Sequence, residues 1–226
     1  RLSQVTQHYG ERCSAAKAYL TPNLTRPNLT VLTKVHVQRL VIENGHVDGV
    51  IIKHKKDISV LSATKEVLLS AGAINSPQLL MLSGIGGESA LQKVDIPLSI
   101  HLPGVGQNLQ DHITVVPLYR AKTSAGTFGI SVSGGANILS QSYQWFRHRK
   151  GKLTSNFAES HAFVTTNEGS PAPDIQMEFV IGLVDDHSRK LHWGHGYSVH
   201  ASLMRPKSRG TITLRDNNPN VIFYCD

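Results

Sequence analysis

Residues 70–86 read Ser-Ala-Gly-Ala-Ile-Asn-Ser-Pro-Gln-Leu-Leu-Met-Leu-Ser-Gly-Ile-Gly. The small residues Ser70, Ala71, Gly72 and Ala73 follow the apolar run Val67-Leu68-Leu69. Small side chains let backbone pass close to something bulky. Ser76 suits a helix cap and Pro77 a first helical turn, so a short helix is predicted through Leu82, ended by Gly84 and Gly86. A strand that feeds a small-residue turn into a helix N-terminus is a common approach to a phosphate-bearing cofactor.

Around this stretch the chain reads as an ordinary globular protein. Its 226 residues are 40% hydrophobic and 17% charged, enough for one or two domains. No apolar run approaches the ~18 residues of a membrane-spanning helix. The first residues, Arg1-Leu2-Ser3-Gln4-Val5, carry no apolar leader core. The expected location is therefore cytoplasmic, or peripheral to the inner membrane. Two cysteines, Cys13 and Cys225, make no disulfide framework and favour a reducing compartment. The formal charge is +7. The basic residues are scattered apart from His54-Lys55-Lys56 and Arg147-His148-Arg149-Lys150, and no aromatic ladder accompanies them, so a nucleic-acid partner is not expected.

The pattern predicts a mixed α+β fold. A short helix is expected over 14–20, and a loop between Pro22 and Pro27. Strands are expected at 29–33, 35–43 and 47–54, the last two joined by Asn44-Gly45, a strong hairpin signal. A short buried strand over 66–69 precedes the Pro77 helix, and a second helix covers 88–94. The Pro- and Gly-rich loop 96–112 ends at a domain boundary. Beyond it, 126–135 reads as a Ser- and Gly-rich loop of a mobile kind. Residues 136–149 have helical spacing with a basic end. Strands follow at 160–165, 175–180, 197–204 and 211–214. This second half should be an antiparallel sheet with a helix on one face.

The spacing Gly72-x-x-x-Ser76-Pro77-x-x-Leu80-x-x-Ser83-Gly84-Ile85-Gly86 resembles a signature of the glucose-methanol-choline flavin oxidoreductases. Residues 12–20 and 26–31, Leu102-Pro103-Gly104-Val105-Gly106-Gln107-Asn108-Leu109-Gln110-Asp111-His112, and Arg205-Pro206-Lys207-Ser208-Arg209-Gly210 resemble further segments of that family, in its order. Trp193-Gly194-His195-Gly196-Tyr197-Ser198 looks like its choline dehydrogenase and flavin-dependent alcohol dehydrogenase branch. The resemblance implies FAD as cofactor and a small-molecule alcohol as substrate, oxidised by hydride transfer to flavin. It implies an incomplete FAD-binding domain over 1–112 and part of a substrate-binding domain over 113–226. The family's Gly-x-Gly-x-x-Gly unit is not found. Gly84-Ile85-Gly86-Gly87-Glu88-Ser89 has the wrong third position, and no helix pattern follows Gly104-Val105-Gly106. No position matches the family's catalytic His, so no catalytic residue is assigned. An internal segment of a larger enzyme is therefore expected, one that alone neither holds FAD tightly nor oxidises alcohols. A non-catalytic module without flavin, and a relative with oxidase or lyase chemistry, stay open as alternatives.

The resemblance places a backbone contact to adenine at Val37, in the strand after Asn28-Leu29-Thr30-Val31-Leu32-Thr33; a plain sheet role is the alternative. Ala71 and Gly72 are expected beside the FAD ribose or phosphate, with helix–strand packing as the alternative. Asn108 and His112 fall in a loop that in the family runs near the flavin, or merely caps it. Glu159 resembles a carboxylate that some choline-oxidising members turn toward substrate, where it would attract a quaternary ammonium. A solvated strand-edge Glu is the alternative. His187, His192, His195 and His200 have no carboxylate or Cys partner in a metal-binding pattern, so hydrogen bonding near a substrate entrance is expected and metal is not. The sequons at Asn23 and Asn28 read as chance, and 205–210 as a basic turn. Self-association is expected through apolar surface near 70–110.

Overall fold

The structure is a computed structural model describing residues 4–124, 126–185, 189–190, 192–221 and 224–225. The chain forms two compact units, each built from two stretches: Val31–Asp111 with Lys207–Asp226, and Arg1–Thr30 with His112–Pro206.

In the first unit Val35–Glu43, His46–His54 and Asp57–Ser62 make a three-stranded antiparallel sheet in chain order. Asn44 and Gly45 take φ of 49° and 80°, the left-handed pair that a tight two-residue turn between twisted strands needs. The helix runs Gly72–Leu82, with Ala71 as N-cap, so it begins before Pro77 rather than at it. Pro77 lies inside it and has no N–H for the Ala73 carbonyl, a local cost the tertiary packing outweighs. Its last turn buries Leu79, Met81 and Leu82. Beyond Ser83 the chain passes into Ile85–Gly86, which pairs in parallel with Ile100–His101. Helix Glu88–Gln92 covers this pair, and Met81, Leu82, Leu91, Ile96 and Ile212 form one buried cluster.

Two expected strands are corrected. Residues 29–33 and 66–69 are irregular among the described residues, and Leu68 is 80% exposed rather than buried. Both stretches have strand-like composition, but a strand exists only where a neighbour takes up its N–H and C=O groups.

The second unit is a six-stranded antiparallel sheet around the long strand Gly194–Leu203. Ile175–Val180 and then Ala158–Val164 lie to one side; Thr114–Val115, Leu118–Arg120 and Gly129–Ile130 pair along the other. The stretch 126–135, expected as a loop, instead contains the strand Gly129–Ile130 and the start of helix Val132–His148. Ser131 caps that helix, its Oγ accepting from the Gly134 N–H at 2.9 Å. Val132, Leu139, Tyr143 and Phe146 form an exposed stripe along it. The hairpin Gln7–His8/Glu11–Arg12 is joined to the far end of this helix. Trp145 Nε1–H donates to the Gly10 carbonyl at 2.8 Å, and Arg149 meets Glu11 at 2.9 Å while lying 4.2 Å from the Trp145 ring centre. These bonds put residues 1–30 in the sheet unit, whereas sequence order groups them with 31–112. At the other end of the sheet, Asp174 accepts the Thr166 Oγ1–H and N–H, both at 2.7 Å, and these bonds hold its carboxyl below the ordinary value.

Candidate functional site

A groove of about 490 Å³ lies beside helix Gly72–Leu82. Ala73, Ser76 and Leu80 line it from the helix, and Gly104, Gln107 and Asn108 from the facing loop. The loop is fixed by backbone bonds: Ile212 N–H donates to the Gly106 carbonyl at 2.7 Å, and Leu109 and Gly210 exchange bonds of 2.8 and 2.9 Å. Gly106 has φ 79°, and a Cβ there would lie 2.3 Å from the Ile212 carbonyl oxygen, so this crossing admits glycine only. Asn108 takes φ 63°, a conformation Asn tolerates better than most residues.

The helix start faces open space. Ala71 and Gly72 are exposed, Gly72 has φ 88°, and a Cβ built on Gly72 meets nothing within 4 Å. No side chain caps this end. The first-turn N–H groups therefore carry the positive end of the helix dipole without a side-chain acceptor, which suits an anion. Among the described residues no Asp, Glu, His, Lys, Cys or Tyr lines the groove. These residues can bind and orient by amides and neutral side chains, and none of them is a group for acid–base work.

Val37 lies in the edge strand of the three-stranded sheet. Leu40 N–H points off the edge, since it donates to Ser83 Oγ at 2.8 Å. The register pairs Arg39 with Ile51 and Val37 with Ile52, leaving Gln38 as an extra residue. Hydrogen-bonded and open positions alternate along a strand, and the bulge shifts that alternation by one. Val37 is therefore on the same open edge as Leu40, with its own N–H and C=O turned outward. The sheet edge, the Gly72 turn and the Asn108 loop belong to one compact unit. His112 is the first residue of the long stretch in the other unit.

Glu159 is in the sheet unit, at the register shift between Ala158 and Ser160. Ser155 Oγ donates to its carboxylate and also accepts the Phe157 N–H. Gln7, Gln141, Lys152, Thr154 and Asn156 share with Glu159 an open polar cavity of about 570 Å³. A larger cavity of about 650 Å³ near Tyr19, Leu20 and Leu29 has Arg26, engaged by Asn28, as its charged lining residue. His192, His195 and His200 bond to three different partners, Asp185, Ser131 and Ser198, and His187 lies outside the described residues. Among the described residues no group of three or more His, Cys, Asp or Glu is placed to hold a metal ion, and no helix is long and apolar enough to cross a membrane. Cys13 is a free thiol. The Gly106 crossing and the Ser83–Leu40 bond were not singled out from sequence as functional. The positive φ of Gly106 has a composition signal, Gly-x-Gly before Asn; the Ser83 partner has none, because it is 43 residues away.

The family model for GMC oxidoreductases matches residues 2–114. The chain is 40% identical over 218 residues to the alcohol dehydrogenase (acceptor) of Pseudomonas putida, covering 96% of this chain and 39% of that protein. It is 41% identical over 220 residues to the mitochondrial choline dehydrogenase of Mus musculus, covering 95% and 36%. The chain thus spans about two fifths of the length of these curated relatives. Among solved structures, a pyridoxine 4-oxidase from Mesorbium loti superposes with a TM-score of 0.74 at 26% identity, over 96% of this chain and 38% of that one. A formate oxidase superposes with a TM-score of 0.83 at 24% identity, over 96% and 42%, a likeness of fold. The signature at Gly72–Gly86, the mixed fold with its antiparallel sheets, and a family match over the first half lead to one assignment: the chain belongs to the GMC oxidoreductase family.

Proposed function

We propose that this chain is the part of an FAD-dependent oxidoreductase that grips the nucleotide end of the cofactor and forms one wall of the substrate site, in an enzyme that oxidises an alcohol or choline to an aldehyde. FAD, when bound, supplies the hydride acceptor. The observation that carries the reading is the Gly72 turn, with its left-handed φ, empty Cβ space and uncapped helix end. Ala71 and Gly72 let a phosphate or ribose approach backbone, and the first-turn amides donate to it. Val37 offers one outward N–H and one outward C=O, the pair that an adenine edge needs. Asn108 orients the neighbouring part of the cofactor from the groove, and His112 continues that loop toward the flavin. In domain terms, residues 1–112 hold the main flavin contacts and 113–226 the main substrate contacts.

The reading is tested on the full-length protein: anaerobic addition of an alcohol or choline should bleach the flavin absorbance, and unchanged absorbance across short alcohols, benzylic alcohols and choline would reject it. The curated relatives include an alcohol dehydrogenase named for an acceptor and choline dehydrogenases named oxygen-dependent, and the solved ones include oxidases. Steady-state assays with oxygen and with a dye separate the two acceptors.

Glu159 is proposed to face the substrate. Its support is a carboxylate at a bulge, where strands re-aim side chains, opening on a polar cavity. Glu159→Gln is expected to raise KM for choline about tenfold, the loss of ~1.4 kcal/mol of charge attraction, with kcat for a neutral alcohol held within about twofold. Equal effects on charged and neutral substrates would remove Glu159 from this role. Self-association through 70–110 is supported by apolar side chains such as Leu102, 49% exposed, and Leu98, 39% exposed. A concentration-independent monomer mass of the 226-residue chain by light scattering would count against it.

A further inference from the structure

Ser83 sits where the helix that begins at Gly72 ends and the buried pair begins. Its backbone is held from both sides. Its N–H bonds to the Leu79 and Leu80 carbonyls at 3.1 and 3.0 Å, and the next carbonyl, that of Gly84, accepts the Ser99 and Ile100 N–H groups at 2.8 and 3.1 Å. The side chain uses both its capacities: the hydroxyl donates to the Leu79 carbonyl at 2.6 Å and accepts the Leu40 N–H at 2.8 Å. One hydroxyl therefore ties the open edge of strand Val35–Glu43 to the end of helix Gly72–Leu82.

The tie falls on the same open strand edge as Val37, which lies three residues earlier. With Leu40 N–H bonded to Ser83 Oγ, and the Ser83 hydroxyl bonded to the Leu79 carbonyl, that edge is held against the end of the helix that begins at Gly72. Without the tie, Leu40 is left with an edge N–H that has lost this acceptor, and the edge that carries Val37 is free to move against the helix.

We infer that Ser83 is a positioning residue for the nucleotide site: by clamping Leu40 it holds the strand edge that carries Val37 in place against the helix that begins at the Gly72 turn. The inference rests on the reading of Val37 and Gly72 as adenosine contacts. It assigns Ser83 no contact with the cofactor and no part in proton or hydride transfer.

The test uses the full-length protein with Ser83→Ala and Ser83→Thr, followed by amide hydrogen exchange resolved at Leu40 and Val37 and by FAD titration of the apoprotein. Ser83→Ala should speed exchange at Leu40 and weaken FAD binding by about tenfold, the value of one neutral hydrogen bond at the upper end of its range. Ser83→Thr keeps the hydroxyl and should restore both. The rate of hydride transfer at saturating FAD should not change. Unaltered Leu40 exchange in Ser83→Ala overturns the clamp. Faster Leu40 exchange with wild-type FAD affinity overturns its positioning role. If Val37 gains no protection when FAD binds to the unsubstituted protein, the adenosine reading itself fails, and that result is separate from either of the others.

Discussion

Gly106→Ala is expected to destabilise the unit built from Val31–Asp111 and Lys207–Asp226 by about 2–5 kcal/mol. Two costs combine. A left-handed φ costs a side-chain-bearing residue about 1–2 kcal/mol, and forcing a carbon into a filled space costs about 1–3 kcal/mol more. The filled space is backbone: the new Cβ would lie 2.3 Å from the Ile212 carbonyl oxygen, and the same crossing carries the 2.7 Å bond from Ile212 N–H to the Gly106 carbonyl. A side chain could turn away; this oxygen cannot without pulling Ile212, 2% exposed, out of the cluster with Met81 and Leu91. Native stability is about 5–15 kcal/mol, so much of it is at risk. Thermal melting should fall by roughly 10 °C at the ~2–4 °C per kcal/mol usual for a protein of this size. Gly104→Ala is the control, since its Cβ would meet nothing within 4 Å. Equal melting temperatures for the two variants would show that the Gly106 crossing is not tight in solution.

The contrast between those two glycines also marks how far local sequence reaches. Asn44-Gly45 predicts its turn because the demand for left-handed backbone is set by the turn itself. The Ile175–Val180 strand is legible for a similar reason, its composition and its partners agreeing along the whole length. Residues 29–33 and 66–69 have strand composition too, yet no ladder forms there among the described residues. What decides a strand is a neighbour, and neighbours are set by topology. The helix start shows a second limit. Ser76-Pro77 carries a proper first-turn signal, but Gly72-Ala73-Ile74 adds another turn in front, and packing of Leu79, Met81 and Leu82 outweighs the Pro77 cost. Grouping of the first 30 residues with the sheet unit depends on Trp145–Gly10 and Arg149–Glu11, bonds that span more than a hundred residues. Within the candidate site, Gly72 and Asn108 are visible from their residue types. The outward turn of Val37 is not, because it follows from a bulge that only the paired strand reveals.

Gly72→Val is expected to leave the fold largely intact and yet lower the affinity of the full-length apoprotein for FAD by about a hundredfold, ~2.7 kcal/mol. The fold survives because the space around this position is open, so the new side chain collides with no neighbour. Affinity falls for two separable reasons. A β-branched residue resists φ of 88°, so the turn relaxes and the first-turn amides swing away from the phosphate they are proposed to hold. The isopropyl group also fills the volume that the proposed adenosine phosphate or ribose enters. Backbone strain alone is isolated by Gly45→Val. Gly45 has φ of 80°, its Cβ would likewise meet nothing within 4 Å, and it sits at the tip of a hairpin. The two variants should therefore lose similar stability in a denaturant melt, while FAD titration followed by flavin fluorescence separates them. Matching FAD affinities would mean that the empty space at Gly72 is ordinary surface and that the nucleotide lies elsewhere. A hundredfold gap would tie the left-handed turn to the cofactor through an argument that needs no catalytic residue from this chain.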